Sequence, residues 1–588
     1  MKTLKIKLLY IVLVLPYFIF AQKVSLKKAD KNYQSLDFGS AISDYEKIAK
    51  NGLEDYSLYQ KLGNSYYFTA DLSNAKKWYE KLFKTEESID SEYYFRYAHT
   101  LKATGNYDKA DAIMSQFHQL KKQADKRGQL FESNLDYLEK IHIQSGRYEI
   151  KNLDINTPLS NFAPTFYHNQ LVFSSEKMAD KSSKNKKDDR LFIDLFTSEI
   201  INDGTLNYPI KFSNSINTQY HESTSTFTTD GNTIYFTRNN FTNNKINKDK
   251  DGTIKLKIYK AVKNGKGEWI NIQELPFNSD EYSVAHPTLN ADETKLYFVS
   301  DMPGGFGLSD LYEVTIHTDG SFGKPKNLGN KINTEGKETF PFMSKNGNLY
   351  FASNGRPGLG GLDIFVVNLS EDISAESIYN LGEPINSPFD DFSFIIDDTT
   401  KKGYFSSNRP GGKGKDDIYS LCEMMPIVKH QSPLEEIITS APEQEKQAET
   451  VVKKDTGIHD VIIKEDTSSF TPKLNFNPIY FDFARYYIRE DAQRELDKIA
   501  AAMKKDPTIK LEILSHTDSR ATRKHNLHLS NKRALATINY LVEKGVERAR
   551  LKGKGYGENQ LLNDCYNNKN CPENKHKLNR RSEFKIFY

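Results

Sequence analysis

The chain has 588 residues, a formal net charge of +3 and a mean hydropathy of −0.66, with 37% hydrophobic and 27% charged residues. These values exclude a polytopic membrane protein, whose spans each need about 20 apolar residues. The 34 Tyr and 35 Phe exclude wholesale disorder, and three cysteines exclude a disulfide scaffold. The charge is uneven, because residues 471–588 hold 24 Lys+Arg against 14 Asp+Glu.

Residues 1–21 begin with Lys2, Lys5 and Lys7, run apolar from Leu8 to Phe20 and end on Ala21. That pattern predicts a secretory signal cleaved between Ala21 and Gln22, its apolar run being too short to span a bilayer. No cysteine precedes Cys422 to carry a lipid anchor. The mature protein is therefore expected to be exported and soluble, in an oxidising space.

Residues 22–146 show helical spacing of apolar positions. Small residues recur at Ala29, Gly63 and Ala98, then at Ala41, Ala75 and Ala110, with bulky residues following at Tyr45, Tyr79 and Met114. Small side chains at those two places let paired helices approach, and the bulky one fills the groove beside them. The pattern, clearest in Leu62-Gly63-Asn64-Ser65-Tyr66, resembles the tetratricopeptide repeat (TPR), though without its helix-ending proline. Ala70-Asp71 and Gly105-Asn106 supply inter-helix turns. The resemblance implies an all-α solenoid of three helical pairs whose concave face docks a peptide or protein.

Residues 147–422 alternate short Tyr/Phe/Val/Ile runs with Gly, Asn, Asp and Pro turns. An apolar strand recurs at Leu171–Ser175, Ile234–Thr237, Leu296–Ser300, Leu349–Ser353 and Gly403–Ser407. A second strand follows each, as in Asp310-Leu311-Tyr312, Asp363-Ile364-Phe365 and Asp417-Ile418-Tyr419. Five such units resemble WD40-like (PD40) repeats and imply an all-β propeller of five blades. The fifth unit lacks its last strand, and Tyr148–Leu153 is the candidate to close the ring. The glycine-dense Gly355–Gly361 reads as a hairpin turn, since a phosphate cradle needs a strand–turn–helix setting. Asn247–Gly252 opens like a calcium loop, but Ile258 stands where the bidentate glutamate belongs.

Residues 423–470, with Pro426, Pro433 and Pro442 and no sustained period, read as a flexible linker. Residues 471–588 alternate strand and helix: a strand at 479–483, a helix over 489–505, a strand at 509–514, a helix over 529–544 and a strand at 583–588. That order predicts an α/β sandwich with helices against one sheet.

The distinctive motif is Ser515-His516-Thr517-Asp518-Ser519-Arg520, followed by Asn526 to Ala534, Gly555-Tyr556-Gly557-Glu558 and Asn579-Arg580-Arg581. These blocks resemble the OmpA C-terminal peptidoglycan-binding domain across nearly all of 475–588, although Ala521 stands where many relatives have glycine. The resemblance implies that the domain grips the diaminopimelate of the peptidoglycan stem peptide, which bears an ammonium and a carboxylate on one carbon. Asp518 would accept from the ammonium and Arg533 would fork onto the carboxylate. Thr517 and Asn526 map onto groove-lining positions, and Arg580 and Arg581 onto the family's terminal arginine pair. Cys565 and Cys571, with His576 nearby, fit either part of a zinc site or a short disulfide loop, and an exported location favours the disulfide.

The domain order resembles PorE-type components of the type IX secretion and gliding machinery. It implies a non-enzymatic envelope protein without metal or cofactor, whose partners are peptidoglycan and outer-membrane proteins of the PorP/SprF-like kind. The alternative is a propeller-containing periplasmic hydrolase or peptidase. No Gly-x-Ser-x-Gly follows the repeats, and the 13 histidines are scattered. Export removes nucleic acid as a partner for the basic end.

Overall fold

The computed structural model describes residues 25–53, 55–85, 87–178, 191–201, 205–242, 245–371, 373–374, 377–428, 476–482, 486, 488–520, 523–566 and 571–587. The expected signal segment with Ala21 and Gln22, most of the 423–470 linker, and Ala521 lie outside them. Contacts divide the chain into two units, Met1–Glu443 and Gln444–Tyr588.

Unit 1 starts with helices α1 (25–34), α2 (Phe38–Lys50), α3 (Tyr56–Phe68), α4 (Leu72–Leu82), α5 (Ser91–Lys102) and α6 (Tyr107–Leu120). Asp37, Asp55, Asp71 and Asp90 cap α2 to α5, each carboxylate accepting from an otherwise orphaned backbone N–H of the first turn. Ala70 and Gly105 turn the chain between helices at positive φ. The recurring small residues Ala29, Ala41, Ala75, Ala98 and Ala110 are fully buried, as are Tyr45 and Tyr79. Two further short helices, α7 (Lys126–Ser133) and α8 (Tyr137–Gln144), follow the three expected pairs. They fall inside the expected 22–146 helical region, but at eight residues each they are too short to carry the 34–35-residue pattern.

Five four-stranded antiparallel sheets follow. Their first strands are Asn161–Tyr167, Glu222–Phe227, Val284–Leu289, Glu338–Met343 and Asp391–Ile396, and these touch one another in cyclic order, the fifth against the first. In the fifth sheet Tyr148–Asn152 is the outer strand, paired antiparallel with Asp417–Glu423 so that Ile150 faces Leu421. Each first strand carries a bulge and one non-glycine residue at positive φ: Ala163, Thr224, His286, Phe340 and Ser393. These residues line a cavity of about 680 Å³.

A device absent from the sequence reading repeats five times. Asn156, Asn217, Asn278, Asn333 and Asn386 each clamp one residue of a neighbouring strand, donating from Nδ2 to its carbonyl and accepting its N–H at Oδ1. The clamped residues are Ile418, Leu195, Ile258, Leu311 and Ile364. A side-chain amide supplies both halves of a ladder pair where the sheet has run out of strand. The Asn247–Gly252 segment is a local turn, in which the Asp249 carboxylate accepts from the N–H groups of Asp251 and Thr253.

The helices and sheets of unit 1 pack on one another. The hairpin turn read at Gly355–Gly361 lies against the helices: Lys102 Nζ donates to the Gly358 carbonyl at 3.3 Å and Tyr107 Oη to the Leu359 carbonyl at 3.0 Å. Leu359 is buried in the same cluster as Phe95, Phe117 and Tyr137. The start of the expected linker is corrected by the structure. The strand runs to Glu423, and residues 424–428 are bound: Arg147 Nε donates to the carbonyls of Met425 and Pro426, and Gln144 exchanges two hydrogen bonds with Val428.

Unit 2 is a four-stranded sheet in the order Ile479–Tyr480, Arg581–Phe587, Lys510–Ser515, Leu551–Gly555, the last pair parallel and the others antiparallel. Helices α9 (Glu490–Lys505) and α10 (Arg523–Glu543) bury Leu496, Ile499, Met503, Ile538 and Leu541 against Leu511, Ile513 and Leu551. The short α11 (Glu573–Asn579) precedes the Arg581–Phe587 strand. The sequence reading missed the Leu551–Gly555 strand, whose Lys-Gly-Lys-Gly core has little β-propensity, and it began α10 at Leu529 instead of Arg523.

Candidate ligand-binding site

The site is assembled where the Lys510–Ser515 strand ends. His516, Thr517 and Asp518 leave the sheet, with the His516 N–H held by the Arg581 carbonyl and the Thr517 N–H by the Gly557 carbonyl. Gly557 has φ +56°, and a Cβ there would lie 2.9 Å from the Leu527 nitrogen, so the turn closes against α10 only with glycine.

Arg533, on α10, is fully buried. Its Nη1 donates to the His516 carbonyl at 2.7 Å and its Nη2 to the Asp482 carbonyl at 3.1 Å, while the guanidinium lies 4.9 Å from the centre of the Phe481 ring. Burial pushes its pKa down to about 9, the neighbouring Arg580 charge adding to this and Asp518 opposing it.

Asp518 is also buried. Its Oδ2 accepts from Arg520 Nη2 at 2.6 Å and from Arg580 Nη1 at 3.0 Å. Burial works to raise its pKa, but the hydrogen bonds from Arg520 and Arg580 hold it below the usual carboxylate value.

The structure separates the other sequence-predicted residues from one another. Arg580 joins Asp518 directly and also donates from Nε to the Phe481 carbonyl. Arg581 is turned elsewhere, donating from Nε to Glu583 at 2.6 Å and from both Nη atoms to the Gln560 carbonyl. Asn526 donates to Glu558, tying α10 to the 555–558 turn. Thr517 Oγ1 is buried and has no hydrogen-bond partner among the described residues. Cys565 and Cys571 are joined in a disulfide, and Ser519 Oγ donates to the Cys565 carbonyl.

Sequence reasoning assigned no role to His516, Arg520 or Glu573. His516 is buried against Tyr556, its ring nitrogens unbonded among the described residues, and burial with the Arg581 charge pushes its pKa down to about 4. Arg520 and Glu573 stand 53 residues apart in sequence, and only the fold brings them together. Among the described residues no group of three His, Cys, Asp or Glu side chains is placed to hold a metal, and no helix is long and apolar enough to cross a membrane.

Residues 480–575 match the model of the OmpA family. The peptidoglycan-associated lipoprotein of Rhizobium meliloti (strain 1021) is 40% identical over 87 residues, covering 15% of this chain and 49% of the relative. That of Buchnera aphidicola subsp. Baizongia pistaciae (strain Bp) is 34% identical over 106 residues, covering 18% and 58%. The crystal structure of the peptidoglycan-associated lipoprotein from Burkholderia pseudomallei aligns with 28% identity and a TM-score of 0.17, covering 19% of this chain and 89% of that one. The chain spans about half the length of the curated relatives it matches. It carries a C-terminal OmpA-family domain.

Proposed function

We propose that the C-terminal domain binds peptidoglycan by clasping the zwitterionic centre of diaminopimelate, and that the protein is a non-enzymatic tether in the cell envelope. Asp518 takes the ammonium and Arg533 the carboxylate, with Thr517 and Asn526 lining the groove. The observation that carries the reading is that Asp518 and Arg533 are both fastened to the segment His516–Asp518, one by sequence and the other through the His516 carbonyl. The peptidoglycan-associated relatives support it. Charge-assisted hydrogen bonds contribute roughly 1.5–3 kcal/mol each, so a single site holds moderately and repeated sites on the wall add avidity.

The helices of unit 1 act as TPR-like repeats and the five sheets as a propeller, the cyclic contacts of the first strands supporting that reading. Together they dock outer-membrane partners of the PorP/SprF-like kind, in a type IX secretion or gliding complex, with the protein on the periplasmic side.

The test is co-sedimentation of the full chain with purified sacculi. Asp518→Asn and Arg533→Gln are each expected to abolish it while the chain stays folded by circular dichroism. Undiminished sedimentation of both variants would defeat the assignment.

A further inference from the structure

Asp518 and Arg580 belong to a closed ring of four charges. Arg580 Nη1 donates to Asp518 at 3.0 Å and its Nη2 to Glu573 Oε1 at 2.7 Å. Arg520 repeats the arrangement, donating from Nη2 to Asp518 at 2.6 Å and from Nη1 to Glu573 Oε2 at 2.8 Å. Each guanidinium thus bridges the same two carboxylates, and the four formal charges cancel. Glu573 stands at the outer side of the ring, its side chain 61% exposed, whereas Asp518 is at 6%.

From this geometry we infer that Glu573 is a positioning and specificity-determining residue, which keeps Asp518 able to accept a cationic ligand group. This rests on the proposed diaminopimelate reading of the same site. Two guanidiniums converging on one carboxylate oxygen would leave a local excess of positive charge, and an incoming ammonium would meet repulsion where it needs attraction. Glu573 removes that excess by taking the far nitrogens of both arginines. It also fixes their planes, so that both approach Asp518 on Oδ2. Arg520 Nε reaches that same oxygen, and the Arg520 N–H meets Oδ1 at 3.3 Å. Without Glu573 the ring carries a net positive charge beside Arg533, an arrangement suited to a plain carboxylate instead of a zwitterion.

The test uses the full chain and two probes, meso-diaminopimelate and its N,N′-diacetyl derivative, which keeps both carboxylates and loses both ammonium charges. Binding is measured by calorimetry. The native chain is expected to prefer diaminopimelate. Glu573→Gln is expected to lose about three- to tenfold in affinity for diaminopimelate, as suits one partly exposed charge, while its affinity for the diacetyl compound is unchanged or higher. Glu573→Asp, which keeps the charge, should retain the native order of preference. Equal weakening toward both probes would mean that Glu573 only supports the fold and would overturn the inference alone. A native chain that binds neither probe would overturn the diaminopimelate reading and this inference with it.

Discussion

Gly63 lies where α3 meets α4, and a Cβ there would sit 2.4 Å from Tyr79 Cε1 and 2.6 Å from Cδ1. The ring cannot swing aside, because Tyr79 is fully buried and its hydroxyl donates to Asn64 Oδ1 at 2.9 Å. Overpacking costs about 1–3 kcal/mol and outweighs the gain of about 1 kcal/mol in helix propensity. Gly63→Ala is therefore expected to lower the urea midpoint of the helical signal, and an unchanged or raised midpoint would refute the argument. His516 makes a second prediction. Its folded pKa of about 4 lies below the ordinary 6.5, so the unfolded chain binds the proton first as pH falls. Stability from this group is complete above about pH 6.5 and is lost on the way down to about pH 4. A thermal scan of the native chain against His516→Asn should show a difference that is constant above about pH 6.5 and changes only between about pH 6.5 and about pH 4. Both residues were visible in the sequence, but only Gly63 had a readable role. The repeat spacing marked it, whereas nothing in a single histidine tells burial from exposure.

At the scale of elements, the asparagine clamp shows what periodicity of apolar residues leaves out. The tripeptides Ile155-Asn156-Thr157, Ile216-Asn217-Thr218, Phe277-Asn278-Ser279, Ile332-Asn333-Thr334 and Ile385-Asn386-Ser387 were all legible, yet they fall in turns, where asparagine is common for local reasons. Their spacing alone could have flagged them. Asn386 is buried and serves the N–H and carbonyl of Ile364 at 2.7 and 2.8 Å. Asn386→Ala leaves both groups unpaired and is expected to cost about 1–3 kcal/mol. Asn386→Asp should cost at least as much, because a carboxylate then faces the Ile364 carbonyl. Amide exchange at Ile364 reports on the clamp directly, and native protection in either variant would contradict it. The antiparallel strands and the two long helices of unit 2 were legible for the opposite reason, since each carries a sustained apolar period.

At the scale of the molecule, unit 1 depends on how its two ends are joined. The chain enters the sheets through Arg147 and Tyr148–Asn152 and leaves them at Glu423, and the outer strand of the fifth sheet brings these ends side by side. Arg147, 1% exposed, fastens them: its Nη2 donates to Glu423 at 2.6 Å while its Nε holds the carbonyls of Met425 and Pro426. Gln144 of α8 then grips Val428, so the same clasp ties helices, sheets and the start of the following segment. Removing one partner of a buried ion pair costs about 3–5 kcal/mol, whereas an exposed pair contributes at most about 1 kcal/mol. Glu423→Gln is accordingly expected to destabilise unit 1 by about 3 kcal/mol and to speed proteolysis within 424–428. Lys413→Ala, which removes an exposed pair with Asp154, should do neither. If the two variants behave alike in denaturation and in digestion, the ends are held by the strand pairing alone and Arg147 is no clasp.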